Sequence, residues 1–111
     1  MRYKVGTSKH ESLNGTTPVL LLAQNTQRAS LMVQVVRGQQ KGVWIYERAT
    51  GTADPSASDV RGAGLWLDGA QNSHVAGGSY APQFAQAGEV WAVCQSGDTS
   101  VVFVGETLKD G

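Results

Sequence analysis

The sequence predicts an all-β protein, a small antiparallel β-sandwich that is jelly-roll-like, and two observations support this fold class. Short runs of β-branched, leucine and aromatic residues are separated by polar and glycine-containing clusters, which is the pattern of strands joined by turns. The i, i+3, i+4, i+7 spacing of an amphipathic helix is not sustained over any long window, so crossover helices for a parallel sheet are not expected. Strands are predicted at residues 18–23, 31–36, 43–47, 65–67, 79–81, 90–94 and 101–104.

The connections between these runs predict antiparallel neighbours. Residues 38–42 and 96–99 combine glycine with polar residues and have the length of hairpin loops. Residues 48–64 are small and polar, and we interpret them as one long surface loop. Such a loop serves either as a contact arm or as a floppy insertion, and the sequence leaves both interpretations open.

The length of the chain indicates one domain. A chain of 111 residues can bury one modest core but not two independent ones. Residues 18–111 are predicted to form the sandwich. Residues 1–17 are polar, with Tyr3, Val5 and Leu13 as apolar anchors, and are predicted to form an extended N-terminal arm that orders on a partner.

Charge and cysteine content exclude several classes of partner. Nine basic and nine acidic residues give a net charge of zero, which offers no general attraction to nucleic acid or to anionic lipid.

The first residues contain no apolar segment typical of a signal peptide, and no stretch has the length of a membrane span, so synthesis in the cytoplasm is expected. Cys94 is the only cysteine and lies in an apolar run, so it is predicted to be a buried free thiol.

The residues that carry chemistry do not form a recognisable active site. His10 and His74 are far apart and belong to no metal-binding motif, so no metal is predicted. Ser79 follows two glycines without completing a nucleophile motif, and Cys94 has no base beside it. We therefore predict a protein that is not an enzyme and that uses no cofactor.

The carboxylates and glycines of the predicted loop are also interpreted as structural. Asp54, Asp59 and Asp68 do not have the spacing of a calcium-binding EF-hand loop and are expected to be solvated. Residues 62–64 contain a Gly-Ala-Gly fragment without the third glycine or the strand-to-helix context of a phosphate site. Residues 14–16 match the pattern of a glycosylation site but are better interpreted as a turn.

Aromatic residues are the most informative set for function. Trp44, Trp91 and Phe103 are expected to build the core of the sandwich. Trp66 stands between two leucines and next to Asp68, and we interpret it as an interface anchor because aromatic residues are enriched at the centres of protein contacts. The same residue would suit a sugar-binding platform.

Three segments carry a resemblance to a known group of proteins. Residues 25–34 place Arg28 before a strand ending in Gln34, residues 87–93 place a Gly-Glu turn before an aromatic strand, and residues 99–106 form a valine-rich strand ending in Glu106. This layout resembles small β-rich accessory proteins of tailed bacteriophages. Length and order are most similar to the capsid decoration proteins, also called staple or cement proteins, of short-tailed phages of the epsilon15 type.

The resemblance implies a structural role on a virus particle. It implies a jelly roll on the outer face of the capsid, made in the host cytoplasm, that clamps neighbouring subunits of the major capsid protein, with a homodimer at the capsid two-fold axes. We expect Tyr3, Arg61 and Trp66 to be the contact residues. Two alternatives stay open: a carbohydrate-binding module that stacks sugars on Trp44, Tyr46 or Trp66, and a connector in the phage tail or baseplate.

Overall fold

The computed structural model describes residues 2–49, 51, 53–83 and 87–110. The remaining residues, which include parts of the predicted arm and of the predicted long loop, lie outside this description. Eight strands and one short helix occupy the described residues. They are β1 (Arg2–Asn14), β2 (Val19–Leu22), β3 (Arg28–Val35), β4 (Val43–Arg48), α1 (Ala57–Ala63), β5 (Leu65–Leu67), β6 (Ser79–Tyr80), β7 (Glu89–Cys94) and β8 (Thr99–Asp110).

The strands form two four-stranded antiparallel sheets, which confirms the predicted β-sandwich. The first sheet has the order β1-β8-β3-β6 and the second has the order β2-β7-β4-β5. The pairs β1 with β8, β2 with β7, β3 with β6 and β4 with β5 are nested, as in one long hairpin folded over on itself. This nesting is the jelly-roll arrangement.

The predicted hairpin loops connect strands of different sheets. Residues 38–42 join β3 of the first sheet to β4 of the second, and residues 96–99 join β7 of the second to β8 of the first. Glycines with positive φ allow both turns, Gly38 at 103° and Gly97 at 85°. The prediction of paired neighbours was wrong here because sequence patterns show where a chain turns but not whether the next strand continues the sheet or crosses the core.

The core between the sheets is aliphatic. Inward-facing residues alternate along each strand, as the two-residue period of a strand requires, and include Leu31, Val33, Val35, Val43, Ile45, Val90, Ala92, Val102 and Val104. The prediction that Trp44, Trp91 and Phe103 build this core was wrong, because their positions in β4, β7 and β8 point to the outer faces. Trp91 is nevertheless buried, since α1 covers that part of the second sheet and Val60 and Val93 pack with it.

The N-terminal segment is extended, as predicted, but it is part of the sandwich. β1 pairs with β8 from Arg2, opposite Asp110, to Asn14, opposite Thr99, with a bulge between Val5 and Ser8. It is an edge strand, and many of its side chains are polar and exposed. Backbone pairing therefore holds a segment whose side chains offer little apolar surface to bury.

A helix interrupts residues 48–64, so the interpretation of this segment as one long surface loop was wrong. The Ser56 side chain accepts a hydrogen bond from the Asp59 N–H at 3.1 Å, and the Asp59 carboxylate accepts one from the Ser56 N–H at 2.9 Å. This capping box starts α1 in a segment with little apolar content, and the buried side chain of Val60 holds the helix on the second sheet. In the described part of the chain, no helix has the length and apolar character needed to cross a membrane.

A buried ion pair joins two strands of the first sheet, and its arginine also reaches the ends of strands in the second. The Arg28 Nε atom donates to Glu106 Oε2 at 2.9 Å, and the Arg28 guanidinium also donates to the carbonyls of Ala23 and Gly88. The other oxygen of Glu106 accepts from the N–H of Thr7, in the bulge of β1. Burial alone would raise the pKa of Glu106, but the hydrogen bonds from Arg28 and Thr7 outweigh it and lower this pKa.

Candidate functional site

Large apolar side chains are exposed at two places on strand edges. On β5, Leu65 is 57% exposed and Trp66 is 40% exposed. On β1, Tyr3 is 62% exposed and Val5 is 72% exposed. We call Leu65 with Trp66 the β5 patch and Tyr3 with Val5 the β1 patch.

The two patches lie at opposite edges of the sandwich. β1 is the edge of the first sheet and contacts β2 and β7 of the second, whereas β5 is the far edge of the second sheet. Near β5 lies β6, the other edge of the first sheet, because Leu65 and Tyr80 line the same cleft. The molecule measures 43 × 36 × 19 Å, so it is a thin slab with an apolar patch on each side edge.

Trp66 is held in place by its neighbours. Its ring packs on Trp44 with a centroid distance of 5.1 Å and a tilt of 58°, and its Nε1 donates to Asp68 Oδ1 at 2.9 Å. Gly42 leaves room for the ring, since a Cβ atom at this position would collide with the indole of Trp66. The exposed ring is therefore a rigid feature, which costs little side-chain entropy on binding.

The β1 patch continues into a shallow depression on the outer face of the first sheet. This depression has a volume of about 420 Å³, and Val5, Met32, Pro82 and Phe103 are among the residues that line it. His10 contacts the edge of the Phe103 ring, with a centroid distance of 5.7 Å. An apolar side chain of a partner could extend from the edge strand into this depression.

A small cleft opens between the sheets beside the β5 patch. Ile45, Glu47, Ala63, Leu65 and Tyr80 line it, and its volume is about 180 Å³. Burial, followed by a hydrogen bond to Glu47 and the charge of that carboxylate, raises the pKa of Tyr80 to about 12. The Oε1 atom of Glu47 is buried and has no hydrogen-bond partner among the described residues.

Two of the three predicted contact residues lie in the exposed patches, and the third binds to other parts of the chain. Tyr3 and Trp66 are exposed, one in each patch. Arg61 instead donates to the Cys94 carbonyl, at 3.1 Å from Nε and 2.9 Å from Nη2, and to the Gly15 carbonyl. Arg61 therefore fastens α1 to the sheet and to the turn after β1, which is a structural role.

The histidines and the cysteine do not converge. His10 lies on β1 and His74 in an exposed turn closed by Asn72. In the described ranges, no three His, Cys, Asp or Glu side chains are grouped so that they could hold a metal ion. Cys94 is buried, as predicted, and burial raises the pKa of its thiol to about 11.

Sequence reasoning identified Trp66 but missed Leu65 and Glu47 as parts of the same region. Glu47 follows Val43 and Ile45 at two-residue spacing, so the period of a strand could have shown that its side chain points inward. The role of Leu65 depends on β5 being a sheet edge, which the local sequence does not specify.

Comparison with known proteins does not assign this chain to a family. No protein family, no curated protein and no solved structure matches this chain. Its function is therefore argued from the geometry described above.

Proposed function

We propose that this protein is a non-enzymatic capsid decoration protein, which binds the outer surface of a phage capsid and clamps neighbouring subunits of the major capsid protein. One observation carries the proposal: exposed apolar residues lie at the two opposite edges of a thin slab. Because the β1 patch faces outward from the first sheet and Trp66 faces outward from the second, a slab that stands between two subunits can touch one of them with each patch. The resemblance of residues 25–34, 87–93 and 99–106 to decoration proteins supports the same role.

Two contacts on one molecule favour stable attachment. Once one patch has bound, the second binds at a high effective concentration because it is already held near its site. A total interface of about 1,600 Å² is standard for a stable protein complex, and a few aromatic anchors carry most of its energy. Trp66 and Tyr3 are the aromatic residues that the two patches supply.

We include a homodimer in the proposal, with β1 as the contact. β1 has β8 on one side and forms the edge of its sheet on the other, where a second β1 could pair antiparallel. If His10 lies on the two-fold axis, residues 6–14 of the two copies pair and Tyr3 and Val5 stay outside the paired segment. Lys9 and Glu11, which form a salt bridge within one chain, then face Glu11 and Lys9 of the other copy, so the charges are self-complementary. Sedimentation velocity tests this step, and a monomer at every concentration used for decoration would exclude the dimer.

A carbohydrate-binding module is the second candidate, because Trp44 and Trp66 form an aromatic pair of which Trp66 is exposed. The rings are tilted by 58° and do not form one flat platform. A tail or baseplate connector would use the same patches on a different partner. Both alternatives are included in the test.

The test is co-sedimentation of the purified protein with undecorated heads of the phage that encodes it. We expect saturable binding and a higher disruption temperature of the decorated shell, because a ligand selective for the assembled shell stabilises it. Binding to host polysaccharide or to tails, with none to heads, would contradict the proposal and support the corresponding alternative.

Two variants locate the contact. Trp66→Ala is expected to weaken binding by about 30-fold, which is typical of a buried aromatic anchor. Val75→Ala is the matched control, because Val75 is 58% exposed but belongs to neither patch. Equal binding of the two variants would remove the β5 patch from the interface.

A further inference from the structure

The first residues of β1 and the last residues of β8 form a two-stranded ribbon at one end of the first sheet. β3, the next strand of that sheet, begins opposite Leu108, so the last two pairs of β1 with β8 lie beyond it. We call residues 2–5 with residues 107–110 the ribbon tip. All of residues 2–5 are exposed, as are Lys109 and Asp110. The ribbon tip therefore presents charged and apolar side chains to a partner.

The ribbon tip contains three cations that have no counter-charge in the described part of the chain. The salt bridges formed by the described residues are Lys9–Glu11, Arg28–Glu106 and Arg48–Glu89. Arg2, Lys4 and Lys109 take part in none of them. Asp110 is the only carboxylate in the ribbon tip, so cations outnumber carboxylates there by two. The ribbon tip is therefore a local positive surface on a chain whose net charge is zero.

These cations surround the apolar side chains of the β1 patch. Directly opposite residues of antiparallel strands carry their side chains on the same face. Lys109 lies opposite Tyr3, so these two side chains share the outer face of the ribbon. Arg2 and Lys4 point to the other face, as the two-residue period of a strand requires. The ribbon is a single layer of backbone, and charges act over about 10 Å at about 0.1 M salt, so all three cations influence a contact made by Tyr3.

This combination fits an acidic protein surface better than a nucleic acid or a lipid. Clusters that recognise anionic lipid contain about 4–8 cations, and nucleic acid is bound by neutralising many phosphates. The ribbon tip has three cations and also a carboxylate, Asp110. Tyr3 is 62% exposed and Val5 is 72% exposed, and an apolar centre with a polar rim is the usual anatomy of a contact between proteins.

We propose that the ribbon tip binds an acidic surface of the major capsid protein. Carboxylates of that surface lie close to Arg2, Lys4 and Lys109, and an apolar group of the same surface contacts Tyr3. In the proposed homodimer residues 6–14 pair with the second copy, so the ribbon tip stays free for the capsid. This inference rests on the proposed capsid binding and adds the chemistry of the surface that the β1 patch contacts.

The experiment measures the binding of Lys109→Glu to undecorated heads. We expect about 10-fold weaker binding than for wild type at about 0.1 M salt, because the reversed charge then faces carboxylates of the capsid. Arg37→Glu is the matched control, because Arg37 is also exposed, forms none of the salt bridges above and follows the other end of β3. It should bind within about 2-fold of wild type. Thermal melting of each variant verifies that it is folded.

A second arm identifies the sign of the charge on the capsid. Converting the exposed carboxylates of the heads to neutral amides should weaken the binding of wild type to the level of Lys109→Glu, so that the two differ by less than about 3-fold. Electron microscopy verifies that the treated heads are intact. On untreated heads, about 1 M salt should reduce the difference in the same way, because charges then act over only about 3 Å.

The outcomes separate this inference from the proposed function. If wild-type protein does not bind heads, the proposed function is wrong and the inference falls with it. If wild type binds heads and Lys109→Glu binds equally well, only the acidic partner surface is wrong. A difference that persists on amide-treated heads, or an equal loss in Arg37→Glu, would also overturn it. Binding to double-stranded DNA or to vesicles of anionic lipid that is as tight as binding to heads, and that Lys109→Glu removes, would assign the ribbon tip to that partner instead.

Discussion

Arg28 and Glu106 form the most deeply buried ion pair among the described residues, with side chains 0% and 7% exposed. The pair connects β3 to β8, and Thr7 connects it to the bulge of β1. We predict that Arg28→Ala lowers the free energy of unfolding by about 3–5 kcal/mol, because it leaves Glu106 as an uncompensated buried charge. Urea denaturation measures the loss. Arg37→Ala, at an exposed arginine, should change stability by less than about 0.5 kcal/mol, and an equal loss in both variants would contradict the prediction.

The same pair predicts how stability depends on pH. The folded state lowers the pKa of Glu106 from its ordinary value of 4.5, so the charged carboxylate stabilises the folded protein. This contribution to the free energy of unfolding is fully present above pH 4.5. It is lost as the pH falls through the range below 4.5. We expect Glu106→Gln to be less stable than wild type at neutral pH, with a gap that narrows as acid protonates Glu106. Denaturation at several pH values measures the gap, and a gap that stays constant into acid would show that the charge of Glu106 is not responsible.

At the scale of single elements, α1 depends on its first turn. Its Ser56 cap and the reciprocal bond with Asp59 start a helix of only 7 residues. We predict that Ser56→Ala lowers the free energy of unfolding by about 1 kcal/mol, which is the usual cost of losing such a cap. Ser58→Ala is the comparison, because it removes the 3.1 Å contact between the Ser58 and Ser56 hydroxyls but leaves both hydrogen bonds of the capping box in place. A similar loss in both variants, measured in urea, would contradict a capping role for Ser56.

A strand was easiest to predict from the sequence where the side chains on both of its faces are apolar. β4 and β7 carry apolar residues on both faces, because one face lines the core and α1 covers part of the other. β1 was predicted only as an extended arm, since pairing with β8 stabilises it and its side chains leave no apolar pattern. α1 was missed because its signals are the short capping box and the single buried Val60.

The candidate site was predictable only in part. Trp66 was identified because aromatic residues are enriched at the buried centres of protein contacts. The importance of Glu47 depends on which groups surround its carboxylate, and those groups come from β4, β5, β6 and α1. Arg61 has the residue type of an anchor, but the carbonyls of Gly15 and Cys94 occupy its guanidinium.

At the scale of the whole molecule, the two patches predict binding with avidity. We expect Tyr3→Ala to weaken attachment to capsids by about 10-fold or more, and Trp66→Ala combined with it to remove saturable binding. A single variant still binds through its other patch, but it loses the high effective concentration that the first contact gives to the second. The double variant loses both contacts. Co-sedimentation of the two single variants and the double variant measures this. A double variant no weaker than Trp66→Ala would show that the β1 patch does not take part.

The nested strand pairing also governs the order in which a newly synthesised chain can fold. β4 and β5 are the only consecutive strands that pair among the described elements, and each further pair joins residues farther apart, ending with Arg2 opposite Asp110. β7 and β8 are interior strands, so the second sheet cannot be completed before β7 has left the ribosome, nor the first sheet before β8 has. Contacts between distant residues make folding slow, and the edges left open meanwhile are prone to aggregate. Cells that make this protein in quantity would therefore benefit from a chaperone that holds the chain until β8 has been synthesised.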